Sequence, residues 1–184
     1  MIKLKNLFLF GFNFLRNPLR NASITPSSNV AARAMLSGID FSKIGVIVEL
    51  GPGTGVFTEE ILKKCLPDTK VILIEIEESY IKLLQKKFGD KIIVEKTSAH
   101  LFDSILIKHN IQKTDLIISG LPFMLGGVEE KLFESIKKHT EMGAIYRFFT
   151  YNPPAMKQTY KNLPIREISF VLKNFPPLWI YGIN

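Results

Sequence analysis

The sequence predicts an α/β fold in which a mostly parallel β-sheet is covered by helices on both faces. Short, nearly continuous apolar segments alternate with amphipathic ones from residue 46 onward, as is typical of strands buried on both sides. A glycine-rich turn follows the first apolar segment, and the last two apolar segments are close enough in sequence to form a hairpin. The 184 residues, 46 % hydrophobic and 22 % charged, suffice for one domain with a substantial core.

The predicted elements alternate along the chain as this fold requires. The predicted strands cover residues 46–50, 71–76, 91–95, 115–119, 144–151, 165–172 and 177–183. The predicted helices cover residues 29–36, 56–66, 79–88 and 128–138, and Ser28 is expected to cap the first of them. Asn-Pro and Thr-Pro-Ser-Ser within residues 17–28 predict a hinge, so residues 1–20 would form an element of their own and residues 21–184 the main domain.

Composition restricts the partners and the compartment. The formal net charge is +7, which favours a polyanionic partner such as nucleic acid or an anionic lipid surface without choosing between them. Cys65 is the single cysteine, so an intrachain disulfide is excluded and a reducing, cytosolic setting is expected. No apolar run approaches the roughly 20 residues of a membrane span. The three histidines are scattered without metal-ligand spacing, so no metal is expected.

The most informative stretch is the glycine-rich turn ELGPGTGV. Gly51, Gly53 and Gly55 fall where a strand turns into a helix, where the backbone must turn tightly and let a ligand approach. Val56 stands where a dinucleotide-binding motif would place its third glycine, and the Gly-Lys-Ser/Thr of a P-loop is missing. Glu49 adds a carboxylate two residues before the first glycine. This pattern favours a ligand with positive charge, and S-adenosylmethionine carries an ammonium and a sulfonium.

A second carboxylate supports the same ligand. Glu75 ends the second predicted strand, 20 residues after Gly55, where a carboxylate can accept both hydroxyls of a ribose. Glu77 lies nearby, but the strand end favours Glu75. The alternative is that Glu49 and Glu75 are ordinary polar residues at strand ends.

The segment 48–62 resembles the first motif of the class I S-adenosylmethionine-dependent methyltransferases. The resemblance implies a Rossmann-like fold with seven strands in the order 3-2-1-4-5-7-6, the last hairpin supplying the antiparallel strand. It also implies that a residue pair after the third strand lies near the adenine; here the pair is Ser98-Ala99, without the usual acidic residue. The residues assigned to the cofactor by this resemblance are Glu49, Gly51, Gly53, Thr54, Gly55, Glu75, Ile76, Ser98, Ala99 and Ser28.

The motif SGLPF follows the fourth predicted strand, beside the switch point where open α/β sheets bind ligands. It resembles the N-(L/P/I)-P-(Y/F) signature of methylases acting on adenine or glutamine nitrogens, with Ser119 and Gly120 in place of the Asn-led start. Backbone carbonyls beside Pro122 would remain as acceptors for an amine. The alternative is a proline-containing turn after a buried strand.

Several motifs together resemble the bacterial phospholipid N-methyltransferases. They are FLRNPLRNASITPSSNVAARAM, ELGPGTG, SGLPF, FFTYNPP and NFPPLWIY, and they cover nearly the whole chain. This resemblance implies methylation of phosphatidylethanolamine towards phosphatidylcholine at the inner face of the cell membrane. Tyr151 and Phe123 would line the amine pocket, although Tyr151 and Trp179 can also be core aromatics. The residues assigned to the substrate side are Tyr151, Ser119, Gly120, Leu121, Pro122 and Phe123.

Residues 1–20 have the pattern of an amphipathic helix at a membrane interface. Leu and Phe side chains gather on one helical face, and Lys5, Arg16 and Arg20 lie opposite. Each Lys or Arg near an anionic surface adds about 1 kcal/mol of attraction. A signal peptide is the first alternative, although no clear small-x-small cleavage site follows. A helix packed into the core is the second.

Two other functions compete with lipid methylation. The basic charge and SGLPF also suit an adenine methylase acting on ribosomal or other nucleic acid. Because the sequence ends directly after the predicted hairpin, without a further helical segment to grip RNA, we expect nucleic acid not to be the substrate. A non-catalytic membrane-binding protein on the same scaffold is disfavoured because the glycine loop and both carboxylates are intact.

Overall fold

The computed structural model describes residues 26–121, 128–174 and 176–184, which form one seven-stranded sheet flanked by helices. The helix predicted for residues 1–20 lies outside the described residues, as do Pro122 and Phe123. The strands are β1 (Val46–Leu50), β2 (Lys70–Glu75), β3 (Ile93–Lys96), β4 (Leu116–Ser119), β5 (Ile145–Thr150), β6 (Arg166–Val171) and β7 (Leu178–Ile183).

The strand order is β3-β2-β1-β4-β5-β7-β6, which confirms the predicted topology. The first five strands are parallel, with Glu49 of β1 opposite Leu73 of β2 and Ile118 of β4. β7 pairs antiparallel with both β5 and β6, so the predicted terminal hairpin is also confirmed. The carboxyl ends of the parallel strands therefore meet at one edge of the sheet, the carboxyl edge.

Two hydrophobic cores lie on the two faces of the sheet. α4, α5 and α6 cover one face, which carries Ile72, Ile117 and Tyr146, and α1, α2 and α3 cover the other, which carries Ile47 and Leu73. The α-helices are α1 (Pro26–Met35), α2 (Val56–Leu62), α3 (Glu78–Phe88), α4 (Phe102–Lys108), α5 (Val128–Glu141) and α6 (Pro153–Thr159). Because side chains alternate along each strand, every buried strand supplies both cores.

Some boundaries and two helices differ from the sequence-based expectation. α1 begins at Pro26, so Ser28 lies in its first turn and the expected cap at Ser28 is wrong. Proline is favoured at the start of a helix because its missing N–H would be unpaired there anyway. α2 ends at Leu62, earlier than predicted, and the sequence patterns did not predict α4 or α6. Within the described ranges, no helix is long and apolar enough to cross a membrane.

Candidate active site

The glycine loop lies at the carboxyl edge, between β1 and α2, and two of its glycines serve different needs. A Cβ on Gly51 would come within 2.6 Å of Leu121 Cδ2, so Gly51 is required by close packing against the loop after β4. A Cβ on Gly53 would meet nothing closer than Tyr80, at 4.0 Å. Gly53 has φ of +54°, a left-handed conformation that favours glycine, and its open side is where a ligand can approach the backbone.

Glu75 holds the glycine loop against the end of β2. Its Oε2 accepts a hydrogen bond from Gly53 N at 3.1 Å, and its Oε1 accepts from Ile76 N at 2.8 Å and Glu77 N at 3.0 Å. The Gly51 N–H also donates to Ile74 O of β2, at 2.9 Å. A carboxylate has about four acceptor sites, so Glu75 retains capacity for a ligand hydroxyl after these three bonds. The ribose role predicted for Glu75 stays a prediction, but its role in positioning the loop is visible.

Glu49 lies fully buried beneath the loop, on the face covered by α2. Its Oε2 accepts from Thr58 Oγ1 at 2.6 Å, whereas its Oε1 has no hydrogen-bond partner. Burial raises the pKa of Glu49 to about 7, an effect that the Thr58 hydrogen bond offsets in part and the charge of Glu75 reinforces. A buried carboxylate with one unpartnered oxygen is costly unless a donor or a cation completes it. The Glu49 side chain therefore fits a positively charged ligand at this loop.

Ser98 and Ala99 follow β3, next to the end of β2, where the sequence analysis places an adenine. The Thr97 N–H donates to Glu75 O at 3.2 Å, which brings the two strand ends together. Ser98 Oγ lies 2.8 Å from His100 Nδ1. Ile76 is mostly exposed directly after β2, an apolar side chain at the same edge. An exposed apolar side chain beside a polar hydroxyl suits a heteroaromatic ring.

The substrate-side residues after β4 pack directly against the glycine loop. The Gly120 N–H donates to Leu50 O at 2.8 Å, and a Cβ on Gly120 would lie 2.7 Å from Gly51 O. The Ser119 side chain is buried in the core and accepts from Leu121 N at 3.4 Å. It also hydrogen-bonds with the Tyr146 hydroxyl. The structure thus places the Ser119 hydroxyl inside the protein and leaves backbone groups at the edge.

Tyr151 follows β5 and connects the edge to the terminal hairpin. Its ring packs edge-on against Phe149, with centroids 5.6 Å apart, and Phe149 in turn contacts Phe57 of α2. Burial raises the pKa of Tyr151, offset in part by a hydrogen bond with the Asn174 side chain. Asn174 also donates from Nδ2 to Pro176 O at 2.6 Å. Tyr151 is therefore neutral at physiological pH and fixed by the β6–β7 turn.

Comparison with known families identifies the chain. A family model described as ribosomal RNA adenine dimethylase matches residues 3–126, which include the glycine loop and both carboxylates. The chain belongs to this methyltransferase family. It is an S-adenosylmethionine-dependent methyltransferase, as the glycine loop and the buried carboxylates predict.

Two relatives of this methyltransferase differ in how much they share with it. An ornithine lipid N-methyltransferase of Singulisphaera acidiphila is 28 % identical over 97 % of this chain and 95 % of that protein. A ribosomal RNA small subunit methyltransferase A of Ralstonia nicotianae is 32 % identical, but the match covers 49 % of this chain and 31 % of that protein. The likeness to the lipid methyltransferase thus extends over both chains, whereas the likeness to the ribosomal RNA methyltransferase is partial.

A solved structure supports the fold of the methyltransferase. The 1,6-didemethyltoxoflavin-N1-methyltransferase of Burkholderia thailandensis, solved with S-adenosylhomocysteine bound, superposes with a TM-score of 0.61. The match covers 100 % of this chain and 89 % of that one, at 8 % identity. At that identity the likeness is one of fold alone.

Sequence reasoning missed three residues that shape this site. Thr58 is the hydrogen-bond donor to Glu49, Tyr80 flanks Gly53, and Asn174 fixes Tyr151. A signal existed for Thr58, because a residue three positions after Gly55 lies in the first turn of the helix above the end of β1. Tyr80 and Asn174 come close only through tertiary packing, so sequence spacing holds no signal for them.

Proposed function

We propose that this methyltransferase methylates the amine of a membrane phospholipid, phosphatidylethanolamine or its methylated forms. One observation carries the proposal: its likeness to a lipid N-methyltransferase extends over 97 % of this chain and 95 % of that protein. The likeness to the ribosomal RNA methyltransferase of Ralstonia nicotianae covers only 31 % of that protein. The likeness over nearly the full length of the chain therefore favours a lipid amine as the substrate.

The neutral character of the substrate side also supports an amine substrate. Among the described residues from Ser119 to Leu121 and from Thr150 to Asn152, Tyr151 is the one ionisable side chain, and its raised pKa keeps it uncharged. A lipid ammonium with a Lys-like pKa of about 10 loses its proton at pH 7 at a cost of roughly 4–5 kcal/mol. A dry, uncharged pocket reduces this cost because it disfavours the ammonium relative to the amine.

The cofactor, when bound, supplies a methyl group that the lone pair of a neutral amine accepts as the carbon–sulfur bond breaks. The residues that would hold it are Glu49, Gly53 and Glu75, for the reasons of charge, open backbone and acceptor capacity given above. The carbonyl groups after β4 and the ring of Tyr151 would orient the amine. Once a methylated ammonium forms, the aromatic ring attracts it by cation–π interaction. Positioning and desolvation then account for the rate, without a dedicated strong base.

Residues 1–20 complete the proposal as a membrane-interface helix. Their basic and apolar side chains suit an anionic lipid surface, so the enzyme would act as a peripheral protein on the cytoplasmic face of the membrane. Deletion of residues 1–20 should weaken vesicle binding without changing cofactor affinity. Equal loss of both would instead indicate that this segment packs into the core.

The decisive experiment offers several acceptors to one enzyme preparation. Purified protein with labelled S-adenosylmethionine is incubated with vesicles of phosphatidylethanolamine and anionic phospholipid, with ornithine lipid vesicles, and with small ribosomal subunits. We expect label in methylated phosphatidylethanolamine, with the Gly51→Val variant as the inactive control. Label in RNA and not in lipid overturns the proposal. Label in ornithine lipid alone would support lipid methylation but would show that ornithine lipid, and not phosphatidylethanolamine, is the substrate.

A further inference from the structure

We propose that the tip of the β6–β7 hairpin is a second membrane contact, which inserts into an anionic phospholipid surface beside the active site. The hairpin apex consists of Phe170, Leu172, Lys173, Pro177 and Trp179. This inference rests on the proposed lipid substrate, but it concerns a surface outside the residues assigned to the cofactor and the amine. It also differs from the predicted contact through residues 1–20.

The apex exposes large apolar side chains. Leu172 is 70 % exposed and Phe170 is 44 % exposed. Phe170 packs on Trp179 of the neighbouring strand, with ring centroids 4.7 Å apart. Isolated exposed apolar residues are common on soluble proteins, but here Phe170 and Leu172 occur together at one hairpin end, beside the partly buried Trp179. Trp and Phe at such a tip suit the interfacial region of a bilayer.

The apex lies at the same edge as the active site. Val171 and Leu178 pair at the end of the hairpin, and Trp179 pairs with Thr150, the last residue of β5. The β6–β7 turn therefore extends from the carboxyl edge, where the glycine loop lies. β7 is three strand positions from β1, a distance of about 14 Å at the usual spacing between strands. A membrane against the apex would present its headgroups to the catalytic edge.

The charge of this part of the chain matches an anionic surface. Residues 142–184 carry five Lys or Arg and one acidic residue, Glu167, whereas residues 37–141 carry 14 Lys or Arg and 16 acidic residues. Glu167 accepts a hydrogen bond from the Tyr181 hydroxyl and belongs to the first half of β6, away from the turn. Lys173 at the apex and Lys157 and Lys161 before the hairpin are exposed. This end of the sheet is therefore the one that anionic headgroups attract.

The backbone of the turn also suits an apolar surrounding. Pro176 and Pro177 have no N–H groups, so two backbone donors that would need water are missing. The Pro176 carbonyl accepts from Asn174 Nδ2 at 2.6 Å, and the Asn174 side chain is buried. Most turns do not enter lipid because their unpaired backbone N–H and C=O groups would lose their hydrogen bonds to water. This turn has fewer of them to desolvate than a turn of ordinary composition.

Trp179 provides an intrinsic probe, because it is the one tryptophan of the chain. The full-length protein is mixed with vesicles of phosphatidylethanolamine and phosphatidylglycerol, with and without brominated acyl chains. Insertion of the apex predicts a blue shift of the Trp179 emission and quenching by the brominated chains. Vesicle binding without quenching would mean that another segment binds and would overturn the proposal.

A matched pair of variants locates the contact. Leu172→Glu places a carboxylate at the apex, and Ile107→Glu does so at an equally exposed isoleucine, 74 % exposed, near the end of α4. Since α4 leads from β3 back to the start of β4, Ile107 lies towards the opposite edge. We expect Leu172→Glu to lower vesicle affinity about tenfold and Ile107→Glu to leave it nearly unchanged. Equal effects of both substitutions would contradict the proposal that the apex contacts the membrane.

Activity on two forms of the same lipid separates this proposal from the lipid function. Leu172→Glu should slow methylation of vesicle phosphatidylethanolamine but not of short-chain phosphatidylethanolamine below its micelle concentration. If the wild type methylates neither form but Trp179 still enters the bilayer, the proposed lipid methylation is wrong and the proposed membrane contact of the apex is supported. If vesicle binding is unchanged and Leu172→Glu instead disrupts a dimer in sedimentation, the apex is a self-association surface and the proposal is wrong.

Discussion

The two ends of the sheet bury opposite charges, and they do so differently. The cofactor half, β3-β2-β1, buries the carboxylates of Glu49 and Glu75 at the carboxyl edge. The hairpin half, β5-β7-β6, buries the guanidinium of Arg147 within β5. Arg147 Nη1 donates to Tyr146 O and Ile183 O, both at 3.2 Å, while its Nε has no hydrogen-bond partner.

The surroundings of Arg147 explain why no ligand is needed there. Burial, together with the charge of Arg166, lowers the pKa of Arg147 to about 10, so it is still protonated at neutral pH. Gly182 makes room for it, since a Cβ on Gly182 would lie 2.7 Å from Arg147 Nη1 and 2.2 Å from Tyr146 O. Two backbone carbonyls thus accept hydrogen bonds from the Arg147 guanidinium, whereas Glu49 Oε1 lies without a partner beneath the glycine loop. The comparison assigns Arg147 to the framework of the sheet and leaves Glu49 as the buried charge that suits a ligand.

The largest effect is expected for Gly51→Val. Its Cβ would meet Leu121 at 2.6 Å and would impose φ of +66° on a β-branched residue, so we expect a loss of about 3 kcal/mol in unfolding free energy. Cofactor binding should be lost in calorimetry. Gly38→Val is the control, because Gly38 has φ of +72° but no atom within 4 Å of its Cβ. Equal losses would mean that packing against Leu121 is unimportant.

Glu75→Ala should have the next largest effect, since it removes the acceptor of three backbone N–H groups. Leaving these donors unpaired should lower the unfolding free energy by about 2–3 kcal/mol and weaken cofactor binding at least tenfold. Urea unfolding and calorimetry measure the two. The neighbouring Glu77→Ala should change neither much, because the Glu77 side chain is exposed and its one partner is Ser79. If the Glu75→Ala variant is as stable as the wild type and binds the cofactor as tightly, Glu75 does not hold the glycine loop in position.

Glu49 should make cofactor affinity and stability depend on pH in opposite directions. Its pKa of about 7 in the folded protein lies above the ordinary value, so the stability contributed by the neutral form is complete below about pH 4.5 and is lost as pH rises through 7. A cationic ligand prefers the ionised form, so affinity should increase about tenfold from pH 6 to pH 8. Glu49→Gln, which cannot ionise, should show neither trend beyond titration of the ligand itself. If cofactor affinity and unfolding free energy depend on pH in the same way in the wild type and in Glu49→Gln, Glu49 is not the group responsible.

The smallest effect is expected for Arg147→Met in the hairpin half. Replacing a buried charge that has no ionic partner among the described residues by an apolar side chain of similar size should change the unfolding free energy by less than about 1 kcal/mol, or raise it. Cofactor affinity should be unchanged. Arg147→Ala should cost more, because it leaves a cavity. Weaker cofactor binding by Arg147→Met would break the distinction between the two buried charges.

The sheet was predictable from the sequence because each strand is short, apolar and bounded by turns. The cofactor of the family was predictable from the glycine loop and the two carboxylates because few other ligands suit that combination of residue types, whereas the contacts of these residues with the cofactor stay a prediction. The helix α4 (Phe102–Lys108) was missed because FDSILIK is short and begins without a side-chain cap. The helix α6 does carry a start signal in its sequence, since Asn152 caps it and proline follows directly.

The directions of side chains at the site needed the structure. Alternation along β4 places Ser119 on the same face as Ile117, so its position in the core follows from the pattern once the strand is known. The bonds of Glu75 to the backbone do not follow from any pattern, because they depend on how the loop turns back over β2. The same holds for Tyr151 and Asn174, which are 23 residues apart in sequence.

The backbone contact between Gly51 and Gly120 limits how such an enzyme can change its acceptor during evolution. A Cβ on Gly120 would lie 2.7 Å from Gly51 O, and a Cβ on Gly51 would lie 2.6 Å from Leu121 Cδ2, so neither loop has room for a side chain at its glycine. A side chain at Gly120 would therefore displace the glycine loop, so a change on the predicted substrate side would also alter the predicted cofactor side. New acceptor preferences are thus more accessible through residues farther along the carboxyl edge than through this junction.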